Sequence, residues 1–244
     1  MARLNTEVAK RHAYLLTGLV TLFVSCGSSN RAKRPQSAAE SVSHQHIAAK
    51  KQLKPGDKRG SFELTFYWLA EPSDNDKGQS RVKLFDKSCQ LISKVTPSFS
   101  KRLKMEGTGK LKDGRIVTAA GGCSCASKCY REVSTQEPWG MGVKNRPLTP
   151  FRSIAVDTKK IDIGETLYVA QLDGVRMEAP HINQSFVHDG CLLADDVGHG
   201  VKGKQIDIFV ASKSVFKNHF REQNNKSTLV RNGGERCSYL TQGQ

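Results

Sequence analysis

The sequence lacks the short motifs of several common enzyme classes. It has no H-E-x-x-H pair of a zinc protease and no G-x-S-x-G elbow of a serine hydrolase. S-x-x-K matches such as those at residues 98–101 and 214–217 have no K-T-G or usable S-D-N partner. Repeated chance matches in one chain show how weak that pattern is. Serine nucleophile chemistry is therefore not expected.

Acidic residues are also few. The chain has 38 Lys and Arg against 23 Asp and Glu, which gives a net charge of +15, and residues 1–60 hold much of this excess. A basic chain suits anionic partners such as nucleic acid, anionic lipid or acidic cell-wall polymers. Helix-turn-helix, zinc-finger and RNA-binding aromatic patterns are all missing, so we do not expect nucleic acid as a partner.

No apolar run at the N-terminus is long enough to cross a bilayer comfortably. The apolar run of residues 13–25 follows a basic segment and stops just before Cys26, which is typical of an export signal. "FVSC" resembles a bacterial lipobox, although Phe23 stands where Leu is usual. We predict a signal peptide over residues 1–25 and a lipid anchor on Cys26, facing the periplasm, with Gly27 favouring the outer membrane. The alternative is an uncleaved N-terminal anchor, which also places the domain outside the cytoplasm.

Without Cys26 the cysteine count is even. An even number of cysteines in an exported chain predicts disulfides, although the sequence leaves their pairing open. A metal site in "CSCASKC" is the rival interpretation, but its C-x-C-x3-C spacing differs from the C-x2-C of zinc ribbons. The disulfide candidates are Cys89, Cys123, Cys125, Cys129, Cys191 and Cys237.

Histidines give no better case for a metal. His181, His188 and His199 share one region, but they do not form a helical i, i+4 pair. Scattered loop histidines are more often solvated or hydrogen-bonded than metal ligands. We expect no metal and no cofactor.

The folded part is predicted to consist of short strands. "SFELTFYWL", residues 61–69, alternates apolar and polar side chains and is rich in aromatics, which indicates a strand. Further short, turn-bounded strands are predicted within residues 81–122 and 152–211, and "KSVFKNHF", residues 213–220, is the one predicted helix. This pattern favours a closed β-barrel over a βαβ fold.

Aspartates at or near strand ends are the best candidates for chemistry. Asp157 and Asp196 each end an apolar strand beside a tight turn, where they could equally satisfy loop amides. Asp207 lies inside "QIDIFVA", on the opposite face from Ile206 and Ile208, with no local turn to serve. Desolvation and a neighbouring carboxylate raise the pKa of a carboxyl, as a general acid requires. Asp207 is therefore the preferred catalytic residue.

The stretches "RSIAVDTKKIDIGETLYV" and "LLADDVGHGVKGKQIDIF" together resemble the three-aspartate (3D) domain family, over residues 149–212. The family pattern is A-V-D, then D-x-G-G-x-I-K-G, then an Asp within a short apolar strand, and Asp157, Asp196 and Asp207 occupy those places. His199 departs from it by replacing the second glycine.

The resemblance implies an all-β fold, a double-psi β-barrel, and a peptidoglycan lytic transglycosylase. Asp207 would be the single catalytic acid and base, with Asp157 and Asp196 in support. Thr65, Tyr67 and Lys202 map onto positions that contact sugar. The expected partners are peptidoglycan glycan strands and, through the lipid anchor, a membrane; the protein is expected to be a monomer. The alternatives are a non-catalytic glycan-binding barrel and a glycosidase that uses water.

The chain is then divided as follows: a signal peptide (1–25), a tether (26–60), a first barrel segment (61–80), an inserted β-rich lobe (81–139), the main part of the barrel (140–212), and a C-terminal helix with a tail (213–244).

Overall fold

The computed structural model describes residues 54–74, 76–179 and 184–242. The predicted signal peptide, Cys26, most of the tether and His181 lie outside these residues. Among the helices within them, none is long and apolar enough to cross a membrane.

Short strands make up most of the regular structure in these residues. The strands are β1 (Lys58–Tyr67), β2 (Val82–Phe85), β3 (Leu91–Val95), β4 (Thr108–Lys110), β5 (Ile116–Cys123), β6 (Ala126–Glu132), β7 (Ser153–Val156), β8 (Thr166–Val169), β9 (Arg176–Ala179), β10 (Gln184–Val187), β11 (Cys191–Asp196), β12 (Gln205–Phe209) and β13 (Lys226–Asn232). The helices are α1 (Pro97–Glu106), α2 (Lys213–Val215) and α3 (Gly234–Cys237), with 3-10 turns at Val143–Asn145, Ala170–Leu172 and Ser238–Thr241 and a π turn at Phe216–Phe220.

Six strands close into a barrel in the order β1-β12-β7-β11-β8-β13. β1 pairs in parallel with β12 and β7 with β11, while the other neighbours are antiparallel. Strands that follow one another along the chain are mostly not neighbours, so the connections interleave. The all-β prediction is confirmed.

Alternation along the strands divides the barrel residues between two apolar clusters. Leu64, Phe66, Ile206 and Ile208 are buried in the main core of the barrel. The intervening positions point to the other side of the sheet, where Tyr67, Ala155, Phe209 and Ala211 form a second cluster with Trp139 packed against it. Because successive side chains point to opposite faces of a strand, Asp207 lies on the face of this second cluster.

The inserted segment between β1 and β7 forms a lobe with a core of its own. It contains a hairpin (β2–β3), a three-stranded sheet (β4–β5–β6) and α1. Leu84, Phe99, Leu103, Val117 and Tyr130 are buried together at its centre.

All six cysteines predicted to form disulfides are paired. The bridges are Cys89–Cys125, Cys123–Cys129 and Cys191–Cys237. The first two lie in the lobe, and the third joins β11 to α3. The disulfide prediction is confirmed, and the structure supplies the pairing that the sequence left open.

The prediction of a single helix was wrong, because α1 lies in the lobe. Its termini carry ordinary signals: the Thr96 side chain accepts a hydrogen bond from the Phe99 amide, Pro97 begins the helix, and Gly107 ends it in the left-handed conformation. Its apolar face is narrow, since only Phe99, Ser100 and Leu103 are buried, and this weakens the helical periodicity. Residues 213–220 are helical, as predicted.

The C-terminal segment was predicted to be a helix and a tail, but β13 within it is a barrel strand. β13 pairs with both β1 and β8 and so closes the barrel. Only Thr228 and Val230 of this strand are buried, so its sequence has little of the apolar alternation that identifies a strand.

Candidate active site

A row of side chains crosses four neighbouring barrel strands. Asp207 of β12 lies opposite Thr65 of β1 on one side and Ala155 of β7 on the other. Ala155 in turn lies opposite Asp196 of β11. Two aspartates are thus separated by one small residue, with their strands roughly 10 Å apart. The small Ala155 side chain leaves the space between the two carboxyls open.

Asp207 is half-buried, and one of its two carboxyl oxygens has no hydrogen-bond partner within the described residues. Burial raises its pKa to about 6, against the lowering effect of a hydrogen bond with Thr65. Its Oδ1 atom is buried and has no hydrogen-bond partner within the described residues. A buried polar atom without a partner is costly, and such atoms call for a functional explanation. A carboxyl in this state can hold a proton near neutral pH and donate it to a bound oxygen atom.

Asp196 owes its position to an irregularity in β11. The β11–β7 register shifts between Ala194 and Asp196, a bulge of the kind that redirects side chains next to active sites. The Asp196 carboxyl accepts hydrogen bonds from the Val197 amide (2.8 Å) and the Tyr67 hydroxyl (3.2 Å). Burial is the main reason that its pKa is raised to about 6. Asp196 therefore also ionises close to neutral pH.

Tyr67 contacts both the Asp196 carboxyl and the apolar cluster on this face of the barrel. Burial and the nearby Asp196 and Asp207 carboxyls raise the pKa of Tyr67 well above its usual value. Its hydroxyl therefore stays protonated and donates to Asp196. The ring packs against Phe209, with centroids 5.1 Å apart, which fixes the direction of the hydroxyl.

These groups line a cleft of about 580 Å³. One side is formed by barrel residues that include Tyr67, Ala155, Asp196 and Asp207, and the other by residues of the lobe and of the loop that follows it. This volume is typical of sites that bind small molecules.

Glu106, which the sequence analysis missed, adds a third carboxyl to the cleft. It is the last residue of α1 and comes from the lobe. Its Oε2 atom accepts a hydrogen bond from the Trp68 amide at 3.3 Å. Burial is the main reason that its pKa is raised to about 7, and the charge of Asp207 raises it further. Its position depends on how the lobe packs, which no local pattern of the sequence indicates.

Asp157 and Lys202 lie beside the cleft rather than in it. They line an adjoining cavity of about 410 Å³ that shares Lys128 and His199 with the cleft. Asp157 accepts hydrogen bonds from the amides of Lys159 (3.0 Å) and Gly203 (2.8 Å), and the Gly203 bond is the main cause of its lowered pKa. Asp157 therefore joins two turns as a carboxylate. Together, the two cavities form an extended groove.

Asp195 is a second residue whose role the sequence did not reveal. Its buried carboxylate accepts hydrogen bonds from Arg146 Nε and Ser153 Oγ, both at 2.7 Å. This ion pair ties the loop after the lobe to β11. The contact is close: a Cβ atom on Gly142 of that loop would lie 2.2 Å from the Asp195 carbonyl oxygen. Asp195 thus fixes a loop that lines the cleft.

The histidines and cysteines that could serve as metal ligands have other partners or lie apart from one another. His188 is buried, its Nε2 atom lies 2.7 Å from the Phe151 carbonyl oxygen, and its Nδ1 atom accepts from the Gly190 amide. Burial lowers its pKa to about 4, so it is neutral. His199 is exposed on the groove. Within the described residues, three potential ligands come together only at Cys89, Cys123 and Cys125, whose sulfur atoms are in disulfides.

Several solved lytic transglycosylases share a distant likeness with the chain. Escherichia coli MltA with bound chitohexaose is 13% identical with a TM-score of 0.49, and the alignment covers 71% of each chain. A membrane-bound lytic murein transglycosylase from Agrobacterium tumefaciens is 12% identical with a TM-score of 0.43, covering 85% of this chain and 87% of the other. LtgG of Burkholderia pseudomallei is 17% identical with a TM-score of 0.38, covering 70% of each.

No curated protein sequence matches the chain. The model of the 3D domain matches residues 152–229, a segment that contains Asp157, Asp196 and Asp207. This match extends beyond the 149–212 segment that the sequence motifs indicated, and it includes most of β13. The resemblance to the 3D domain that the sequence indicated is therefore confirmed by this match over residues 152–229.

Proposed function

We propose that the protein is a lytic transglycosylase that cleaves the β-1,4 bond between N-acetylmuramic acid and N-acetylglucosamine in peptidoglycan. The main support is Asp207, a half-buried residue that lines the cleft, has a buried carboxyl oxygen without a hydrogen-bond partner and has a pKa of about 6. The 3D domain supports the same assignment, since its resemblance implies this activity. The solved transglycosylases named above are too distant to add weight.

In the proposed reaction Asp207 first donates a proton to the substrate and later accepts one from it. The protonated carboxyl donates its proton to the bridging oxygen, and the bond from that oxygen to muramic C1 breaks. The C6 hydroxyl of the same muramic residue then attacks C1, and the Asp207 carboxylate accepts the hydroxyl proton. The products are a 1,6-anhydromuramic end and a free 4-hydroxyl on N-acetylglucosamine, and no water is consumed. One carboxyl suffices because the nucleophile belongs to the substrate.

The other predicted site residues act on the substrate or on the position of Asp207. Thr65 hydrogen-bonds with Asp207 and also accepts from Gln205 Nε2 at 3.0 Å, so it orients the acid. Tyr67 and Asp196 form a donor–acceptor pair on the cleft wall for sugar hydroxyls. Lys202 is exposed on the adjoining cavity, where a longer strand would continue. Asp157 supports the turn at Gly203.

A glycosidase that uses water is the second candidate, and Glu106 is the observation that favours it. Such an enzyme needs a second carboxyl to activate water or to attack the sugar. Glu106 lies in the same cleft as Asp207 and has a pKa of about 7, so it would ionise where a base operates. A non-catalytic glycan-binding barrel remains the alternative outside the enzyme class.

Digestion of purified sacculi followed by mass analysis of the fragments separates these functions. We expect fragments with 1,6-anhydromuramic ends, which lack one water relative to hydrolysed fragments. Reducing ends would instead identify a glycosidase, and their loss in Glu106→Gln would assign the second carboxyl. Intact sacculi, with the protein still bound to them, would indicate a binding protein and overturn the proposal.

We also propose that the protein is exported and held at a membrane by lipid on Cys26, facing the periplasm. The basic segment, the short apolar run and "FVSC" support this placement. The Cys26→Ala protein is expected to lose the lipid mass and to move from the membrane fraction to the soluble fraction. A Ser25→Ala protein, which keeps a small residue before the cysteine, is the matched control. Unchanged mass and membrane association in Cys26→Ala would contradict the anchor.

A further inference from the structure

The two sides of the cleft carry opposite charges. The barrel side presents Asp196 and Asp207, whereas the charged residues that the lobe and the loop after it present are all basic except Glu106. We call these basic residues the cationic wall; they are Lys104 of α1, Lys128 and Arg131 of β6, and Lys144 of the loop. Lys104 and Lys144 are exposed, and the other two are half-buried.

Within the described residues, no carboxylate forms an ion pair with the cationic wall. The Lys128 ammonium lies 3.4 Å from the Lys104 carbonyl oxygen, and Arg131 donates to the Asn145 side-chain oxygen at 2.8 Å. The pKa of Asp207 responds to burial and to Thr65 rather than to these cations. The positive charge is therefore not neutralised by the acids across the cleft and is available to a bound anion.

The backbone that carries the wall is held in place. Lys144 and Asn145 have φ angles of 54° and 58°, in the left-handed region that is strained for a non-glycine residue. The Arg131–Asn145 hydrogen bond and the Arg146–Asp195 ion pair hold this conformation. The Cys123–Cys129 disulfide closes the β5–β6 hairpin around Lys128. Such strain persists where the surrounding contacts over-determine it, often at ligand-binding sites.

We propose that the cationic wall binds the carboxylates of peptidoglycan stem peptides, so that the substrate is the peptide-bearing strand rather than bare glycan. This inference rests on the proposed function. Stem peptides are attached through the lactyl group of muramic acid, next to the bond that Asp207 would protonate. The peptides of a strand placed against Asp207 would therefore begin on the sugar whose bond is broken, inside the cleft that the cationic wall lines. Neutral glycan has no group for the cationic wall to bind.

Binding to the full-length Asp207→Asn protein tests this inference without turnover. Three soluble ligands of equal sugar length are compared: neutral chitooligosaccharide, peptide-free glycan with lactyl carboxylates, and glycan that carries stem peptides. We expect affinity to rise in that order, and NaCl to weaken the third most strongly, because salt screens exposed charges.

Removal of lysine charges then tests whether the cationic wall causes the difference in affinity. Adding Lys104→Gln and Lys144→Gln should weaken binding of the peptide-bearing strand by roughly 3- to 20-fold, as expected for two exposed ion pairs, and leave chitooligosaccharide within about 2-fold. Lys83→Gln with Lys110→Gln is the matched control, since these exposed lobe lysines lie outside the cleft and remove the same charge. The control should change neither affinity.

Equal affinity for the three ligands, or equal losses in the control pair, would overturn the role of the cationic wall. Binding of heparin as tight as that of the peptide-bearing strand would also overturn it, because the attraction would then be general to polyanions. These results are independent of the sacculus digest. If the digest gave no anhydro ends but the three affinities still rose in the expected order, only the proposed transglycosylase activity would be refuted. If none of the three ligands bound, both that activity and the role of the cationic wall would be refuted.

Discussion

The Asp207→Asn protein is expected to form anhydromuramic ends about 10²–10⁴-fold more slowly than the parent, which is the usual contribution of a general acid or base. The loss should reach the upper end of that range because Asp207 would serve in both proton transfers. Asparagine keeps the size of the side chain and its contact with Thr65 but cannot exchange a proton at the required oxygen. The rate of release of anhydro fragments from sacculi measures this effect.

Folding should survive the same change. The pKa of Asp207 is raised in the folded protein, so the folded state binds this proton more tightly than the unfolded chain does. The carboxyl therefore costs stability as pH rises from about 4 through about 6, and the full cost remains above pH 6. Asp207→Asn removes that cost. The variant should melt at a temperature equal to or higher than that of the parent at pH 7.5, and the difference should disappear near pH 4.

Comparison with the neighbouring aspartates tests the assignment. Asp196→Asn should reduce activity by perturbing the hydrogen bond with Tyr67, and Asp157→Asn should loosen the turn at Gly203 and lower the stability. Near-normal cleavage by Asp207→Asn would refute the mechanism. If Asp196→Asn abolished cleavage with unchanged stability while Asp207→Asn did not, the acid would be Asp196, whose pKa is also about 6.

The pH profile should follow the same carboxyl. A general acid must be protonated when the substrate binds, so kcat/KM should fall above about pH 6 as Asp207 loses its proton. Below that pH the activity should remain high until groups that bind the substrate titrate. Asp196 ionises in the same range, which makes the descending limb a property of the pair.

The face on which Asp207 lies could be predicted from sequence because it follows from alternation within one strand. In "QIDIFVA" the period of two places Ile206 and Ile208 in the core and Asp207 on the opposite face, as the structure confirms. The six paired cysteines could be predicted from an even count in a chain that was itself predicted to be exported.

Residues that reach the cleft through tertiary packing could not be predicted. Glu106 and Lys104 belong to α1, and Arg131 belongs to β6, so their place near Asp207 depends on how the lobe meets the barrel. Asp195 was visible in the sequence, but its partner Arg146 lies 49 residues away. Strand β13 was missed because its pairing on both sides, rather than its own apolar pattern, makes it a strand.

The second large effect is expected on stability, from removal of the Cys191–Cys237 disulfide. Both cysteines are fully buried, and the bridge spans 46 residues. A loop of that length implies about 4 kcal/mol of stabilisation through the reduced entropy of the unfolded chain. The double variant Cys191→Ala/Cys237→Ala should therefore unfold at a markedly lower urea concentration than the parent, with the free energy of unfolding obtained by linear extrapolation.

The Cys123–Cys129 bridge provides the matched comparison, because it closes a loop of only 6 residues in the lobe. Its removal should cost about 2 kcal/mol by the same relation. Folded Cys191→Ala/Cys237→Ala protein should keep its cleft, since the ion pair Arg236–Asp173 and the hydrogen bond from Tyr239 to Asp189 still hold the C-terminal segment against the barrel. Equal urea midpoints for the parent and this double variant would show that those polar contacts, rather than the disulfide, keep the segment in place.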